Sequence, residues 1–284
     1  MFSLRDMTAK GENPVASLAY FENMTAVQPG EKHRTLQRFV LLNGSRTRRE
    51  KSGQFAMEGF RLVLDALESG VRLSALILTQ RAAAQYGDAF APFLKSSNPL
   101  LIADAVAKEI SDTETAQGVF AIGIMPQAQL LVPQKGHRSM LLHNVQDPSN
   151  LGAIMRTAEA LGTDGLYLYH CCDAYNPKAI RSSMGALFRI PYAMIDDLDS
   201  FVADCHGQHL PLCAAVVDRD VVSLKAFDCT GGAVVCIGNE GNGLPLDFSD
   251  ACDVKLTIPM SPASNSLNAA MAAGLFLWEM SRYL

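Results

Sequence analysis

Three short polar segments carry the residue types that do chemistry, and each follows a predicted strand, where open α/β sheets bind ligands. The first, NVQDPSNLGAIMRT over residues 144–157, crowds Asn144, Asp147 and Asn150 into a turn. It places Arg156 two helical turns further on, able to reach back toward the sheet edge. Taken alone, this is equally a capped helix whose Arg156 pairs with Glu159 at i+3. The second, GNEGNGLP over 238–245, combines three glycines, which admit close backbone approach and positive φ, with the carboxylate of Glu240. It lacks the Lys-Ser/Thr of a phosphate loop and the G-x-G-x-x-G order of a dinucleotide turn. The third, IPMSPASNSLN over 258–268, is a polar loop feeding the last helix. A helix N-terminus with free N–H groups suits a carboxylate-bearing ligand, although an ordinary capped turn reads the same way.

These segments need a scaffold, and the pattern of apolar runs supplies one. Continuous apolar strands are predicted at Met140–His143, Gly165–Tyr169, Leu212–Val217, Ala233–Ile237 and Val254–Ile258, of the kind buried on both faces of a parallel sheet. A helix behind Asp147 carries Leu151, Ile154, Met155, Ala158 and Leu161 on one side and stops at Gly162. The last helix puts Leu267, Ala270, Met271, Gly274 and Trp278 on one stripe, with Ser264 and Asn265 as cap candidates. Alternating strands and helices mean α/β layering. Before it stands a smaller α/β unit: helices near Leu36–Asn43, Gly59–Glu68 and Asp104–Ile110, and strands Leu73–Leu78, near Leu100 and Val119–Ile124. Two prolines and a glycine mark a linker over 126–137, between units at 31–125 and 138–284. Residues 1–30 read as an extension with one short helix around Val15–Met24.

With 284 residues, 49% of them hydrophobic, the chain can bury a large core. Its first residues mix charges without a continuous apolar stretch, so neither a signal peptide nor a membrane-spanning run is expected, and the seven cysteines lack C-x-x-C spacing. A cytoplasmic protein with reduced thiols and no metal is expected; His206 and His209 beside Cys205 have no second ligand pair. The net charge of −5 argues against a uniformly basic coat. Locally, however, residues 32–61 hold eight basic residues against two acidic ones. Arg46, Arg48 and Arg49 are the candidates for phosphate contacts, the alternative being a solvated helix face.

Together the three segments resemble the SpoU family of RNA 2′-O-ribose methyltransferases, within the SPOUT class. Asn144, Asp147, Pro148, Asn150, Gly152, Arg156 and Thr157 match its first motif. Gly238, Glu240, Gly241 and Gly243 match its second, and Ile258, Pro259, Met260, Ser266, Leu267 and Asn268 its third. RTRREKSGQFAMEGFRLV, over 46–63, is similar to the opening of a ribosomal-protein-L30e-like substrate-binding domain. The resemblance implies a C-terminal parallel sheet closed by a trefoil knot, a homodimer that shares its sites, and S-adenosylmethionine as cofactor. Backbone groups at Gly238, Ile258 and Leu267 would hold the cofactor, and Arg156, Asn150, Glu240, Ser266 and Asn268 would serve the reaction on structured RNA. Ribosomal RNA is favoured over transfer RNA because a large N-terminal RNA-binding domain is present. One departure stands out: Ser261 to Asn265 fill with proline a loop that usually contains glycine.

Two other readings remain open to test. A non-catalytic RNA-binding module on this scaffold is disfavoured by the intact Arg156, Glu240 and Asn268. A nicotinamide-dependent dehydrogenase would need the dinucleotide turn that the glycine loop lacks.

Overall fold

The computed structural model describes residues 20–21, 24–127, 131–218, 220–261 and 266–282. The chain divides into two compact units, one ending at Met125 and the other beginning at Pro126. In the first, helices α1 (Arg34–Gly44) and α2 (Arg46–Ser52) lead into β1 (Gln54–Glu58) and α3 (Phe60–Glu68). There follow β2 (Leu73–Thr79), α4 (Gln80–Phe90), β3 (Pro99–Ile102), α5 (Asp104–Ile110) and β4 (Val119–Ile124). The sheet order is β1-β4-β2-β3, with β4 antiparallel to both neighbours and β2 parallel to β3. Leu36, Phe39 and Leu42 of α1 share one face, and they pack against Ile77, Phe120 and Ile122 of the sheet. Periodicity anticipated this unit except for α2, β1 and α4.

The second unit runs β5 (Arg138–His143), α6 (Pro148–Ala160), β6 (Gly165–Tyr169), α7 (Pro177–Ser183), β7 (Tyr192–Ile195) and α8 (Leu198–Gly207). It continues β8 (Leu212–Ala215), β9 (Val222–Ser223), β10 (Ala233–Ile237), α9 (Leu246–Ala251), β11 (Val254–Thr257) and α10 (Ala269–Ser281). All pairings are parallel, in the order β7-β6-β5-β10-β8-β11-β9. Every residue of β10 is buried, as its uninterrupted apolar sequence requires. From β5 the chain proceeds to β6 on one side, whereas from β10 it proceeds to β11 on the other. The carboxyl ends of the adjacent strands β5 and β10 therefore bound a crevice at which the winding direction reverses.

Gly152 sets how closely the first site helix approaches its neighbour. A Cβ there would lie 2.4 Å from the carbonyl oxygen of Ala179 and 2.6 Å from Cβ of Ser182, so only glycine lets α6 lie against α7. Asp147 caps α6 by accepting from the Ser149 N–H, with Pro148 at the first helical turn. The last helix begins later than its apolar stripe suggested. Asn268, accepting from the N–H groups of Ala270 and Met271, is its cap, in place of Ser264 or Asn265, which lie outside the described residues. No helix among the described residues is long and apolar enough to cross a membrane. Most of the helix expected around Val15–Met24 also lies outside them.

Candidate active site

The crevice between β5 and β10 is tied together by a chain of hydrogen bonds that joins all three polar segments. Strand β5 is followed by Asn144, whose φ of 59° turns the chain sharply away from the sheet. Asparagine adopts this left-handed region more readily than most side chains. Its N–H donates to the Tyr169 carbonyl at 2.8 Å, and its own carbonyl accepts from Asn239 Nδ2 at 2.8 Å. The loop after β10 thus docks directly on the loop after β5.

Glu240 is the hub. One carboxylate oxygen, Oε1, accepts from Asn150 Nδ2 at 3.0 Å and from the Asp147 N–H at 3.0 Å, while Oε2 accepts from the Gln146 N–H at 3.1 Å. Burial pushes this carboxyl upward, but the bonds from Asn150, Asp147 and Gln146 outweigh it and hold the group below the usual glutamate value. Asn150 is buried, and its Oδ1 accepts from Asn268 Nδ2 at 3.0 Å. Asn268 in turn caps α10, so one continuous path leads from the last helix through Asn150 to the glycine loop. Asp147, beside it, lies below its ordinary value chiefly because it accepts from the Ser149 N–H, with Lys178 3.2 Å away.

The glycine loop is a tight reversal. Asn239 and Gly243 exchange backbone bonds at 3.0 and 2.9 Å, and a Cβ on buried Gly238 would lie 2.1 Å from the Gly243 carbonyl carbon. No side chain fits there, and main chain alone lines this part of the crevice. Half-buried Ile258 follows the last residue of β11, and Leu267 precedes α10. Their backbone groups lie beyond the strand ladder and the helix.

Comparison with known proteins identifies the fold that carries this geometry. The model of the SpoU rRNA methylase family matches residues 138–278, and that of the MRM3-like substrate binding domain matches residues 35–121. An uncharacterized tRNA/rRNA methyltransferase of Synechocystis is 31% identical, over 82% of this chain and 86% of that protein. The chain belongs to the SpoU family. A second relative, the 23S rRNA (uridine(2479)-2′-O)-methyltransferase of Streptomyces viridochromogenes, is 29% identical over 87% of this chain and 88% of its own length. The crystal structure of the SpoU methyltransferase AviRb from Streptomyces viridochromogenes, in complex with the cofactor AdoMet, superposes with a TM-score of 0.79 at 28% identity. It covers 88% of this chain and 98% of its own. This SpoU protein is an S-adenosylmethionine-dependent RNA methyltransferase with an MRM3-like substrate-binding domain.

Of the residues expected at the site, Asn150, Glu240 and Asn268 are brought together by hydrogen bonds, while Ser266 is exposed just before Asn268. Arg156 is not part of that network. It is exposed, and six residues along α6 set it about 9 Å from Asn150 and roughly 120° around the axis. Nor does it pair with Glu159, whose carboxylate accepts from Arg189 Nε and Nη2 instead. Sequence reasoning missed Gln146, which holds the first loop through its N–H to Glu240 and its Nε2 to His170. Its place between two matched motif residues was the one available signal.

The basic cluster of the first unit divides. Arg46 and Arg48 are exposed, with Arg46 Nε 2.7 Å from Glu50. Arg49 is only 3% exposed, and its guanidinium donates to the carbonyls of Leu42 and Asn43, satisfying the end of α1. It is a structural residue, unavailable to a phosphate. Arg49→Ala should therefore lower unfolding stability by about 1–3 kcal/mol, the cost of leaving buried acceptors unmet. Arg46→Ala with Arg48→Ala should leave stability within about 0.5 kcal/mol, as at most surface sites. Urea unfolding curves of the two variants check this.

Proposed function

We propose that this SpoU protein methylates the 2′-hydroxyl of a ribose in ribosomal RNA, in the cytoplasm, as a homodimer whose two-fold axis joins each site. The observation that carries the reading is the bonded path Asn268–Asn150–Glu240, which makes one site of three sequence motifs. The ribosomal substrate is supported by the relative of 29% identity that acts on 23S rRNA and by the matched substrate-binding domain.

S-adenosylmethionine, when bound, supplies a methyl group on a sulfonium centre; Gly238, Ile258 and Leu267 would hold it through their backbone, within the knotted loops that the SPOUT likeness implies. Glu240 keeps the glycine loop against the turn after β5, and Asn150 and Asn268 orient the ribose with Ser266. A guanidinium stays protonated at working pH. Arg156 therefore acts by stabilising the oxygen as its proton passes to water and by holding the adjoining phosphate. Exposed Arg46 and Arg48 offer the substrate-binding unit's phosphate contacts.

Two features support dimerisation. Leu267, Met271, Leu275 and Trp278 are 38%, 65%, 43% and 61% exposed, an apolar row along the start and outer face of α10. Isolated exposed apolar residues are ordinary, but a row of four invites a symmetric partner. Arg156, with no bonded partner among the described residues and turned away from its own network, reaches the site of the partner.

Isothermal titration with S-adenosylmethionine and sedimentation of the full chain test this reading. One cofactor per protomer, undiminished by a metal chelator, and a dimer at micromolar concentration are expected. A monomer that transfers methyl groups at the normal rate would overturn the shared site.

A further inference from the structure

Beside the polar network, on the side away from the glycine loop, the sheet edge carries a row of rings that the chemistry above does not use. Strand β6 ends in Tyr169, followed by His170, an exposed non-glycine residue at φ 53°. The imidazole lies on the Tyr169 ring with centroids 4.1 Å apart and planes inclined by 18°. Tyr169 touches His143 at 5.0 Å, and His143 stacks near Phe248 at 5.6 Å.

This platform is held in register with the first motif. The Asn144 N–H donates to the Tyr169 carbonyl at 2.8 Å, Gln146 Nε2 to the His170 carbonyl at 2.8 Å, and the Cys172 N–H to the Val145 carbonyl at 2.9 Å. Gln146 is also the residue whose N–H meets Glu240. The ring of His170 is thus exposed, stacked on one face only among the described residues and fixed to a site loop, which leaves its other face to a flat ligand.

We propose that His170, backed by Tyr169, stacks a nucleobase of single-stranded RNA next to the ribose being methylated. Enzymes and binders that must reach a nucleotide splay neighbouring bases apart and receive them on aromatic faces. The adenine of the cofactor presents the same flat face but would sit elsewhere, against the backbone of Gly238, Ile258 and Leu267. With strands about 4.8 Å apart, His170 at the end of β6 lies about 10 Å from the Gly238 loop and about 19 Å from Ile258. The stacked base therefore belongs to RNA, and the inference rests on the reading of the site as an RNA methyltransferase.

The test uses the full chain and a labelled twelve-nucleotide single-stranded oligoadenylate, since stacking tolerates any base. His170→Gly keeps the backbone at ease at positive φ while removing the ring, so it separates the platform from a merely structural role. The dissociation constant should rise by roughly 10-fold, the effect of losing one base stack. His170→Phe should restore it to within about three-fold of the parent value. Titration with S-adenosylhomocysteine should be unchanged in both variants. Undiminished oligonucleotide binding by His170→Gly, no binding by the parent chain, no recovery in His170→Phe, or weakened S-adenosylhomocysteine binding would each overturn the proposal. Failure of the parent chain to methylate ribosomal RNA would instead overturn the proposed function, because oligonucleotide stacking is read without methyl transfer.

Discussion

Arg156→Ala is expected to slow methyl transfer by at least about 100-fold in single turnovers at saturating RNA, with cofactor affinity held within a few-fold. Arg156 sits six residues along α6 from Asn150, the residue through which this helix bonds the loop after β10. It makes no hydrogen bond or ion pair among the described residues, so its removal disturbs no packing that shapes that loop. Arg156→Lys should remain severely impaired, since an ammonium keeps the charge but loses the planar fork that engages a phosphate and the 2′-oxygen together. Lysine restoring near-normal rates would reduce the role of Arg156 to long-range electrostatics. Mixing subunits locates its site: in a dimer of one Arg156→Ala chain and one Glu240→Ala chain, a shared site leaves one of the two centres intact. About half the parental activity is then expected, against almost none if each chain uses its own Arg156.

Glu240→Gln should be nearly as damaging as alanine, although it is almost isosteric. Both carboxylate oxygens accept, from two backbone N–H groups and the Asn150 amide. A glutamine would turn an NH2 group, which only donates, toward one of those donors. These donors are at least partly open to water, but hydrogen bonds to a charged acceptor are worth about 1.5–3 kcal/mol, so S-adenosylmethionine affinity should fall roughly 10- to 100-fold as the glycine loop comes loose. Titration calorimetry reads the loss directly, and unchanged affinity would show that the loop holds its shape without the carboxylate. Because the folded value lies below 4.5, the anchor is complete above that pH and is lost as pH falls through the depressed value. Cofactor affinity of the parent should decline there, while that of Glu240→Gln, lacking the titrating group, should not share that decline.

The parts of this molecule legible in its sequence are those fixed by local pattern. Strands at Gly165–Tyr169, Ala233–Ile237 and Val119–Ile124 and the helix at Asp104–Ile110 fall where apolar runs and spacing put them. The edge strands β7 and β9 do not announce themselves. Both are short, and Met194 and Val222 are about half exposed, so neither presents the continuous apolar run of a buried parallel strand. The helices α7, α8 and α9 are at most ten residues long, too brief for a clear period. The short helix α2 hides in a run of charges, and its Arg49 turns inward only because the end of α1 leaves carbonyls to be met.

The site was legible as three segments but not as one network. Glu240 meets Asn150 across ninety positions, and Asn268 meets Asn150 across one hundred and eighteen. No spacing rule reaches that far; the parallel sheet brings those loops to one edge. The same holds for Glu159, which looked like a helical partner for Arg156 but bonds Arg189, thirty residues on. His170 gave no signal either, because a histidine after an aromatic strand is unremarkable until its backbone and its stacked ring are seen together.

The most direct measurement incubates the full chain with tritiated-methyl S-adenosylmethionine and an unmodified ribosomal RNA transcript, then digests the RNA to nucleosides and resolves them by chromatography. Label is expected in a single 2′-O-methylated nucleoside, and at least about 100-fold more slowly with Arg156→Ala. Label in a base-methylated nucleoside, or label in transfer RNA with none in ribosomal RNA, would overturn the assignment of this protein to ribose methylation of ribosomal RNA.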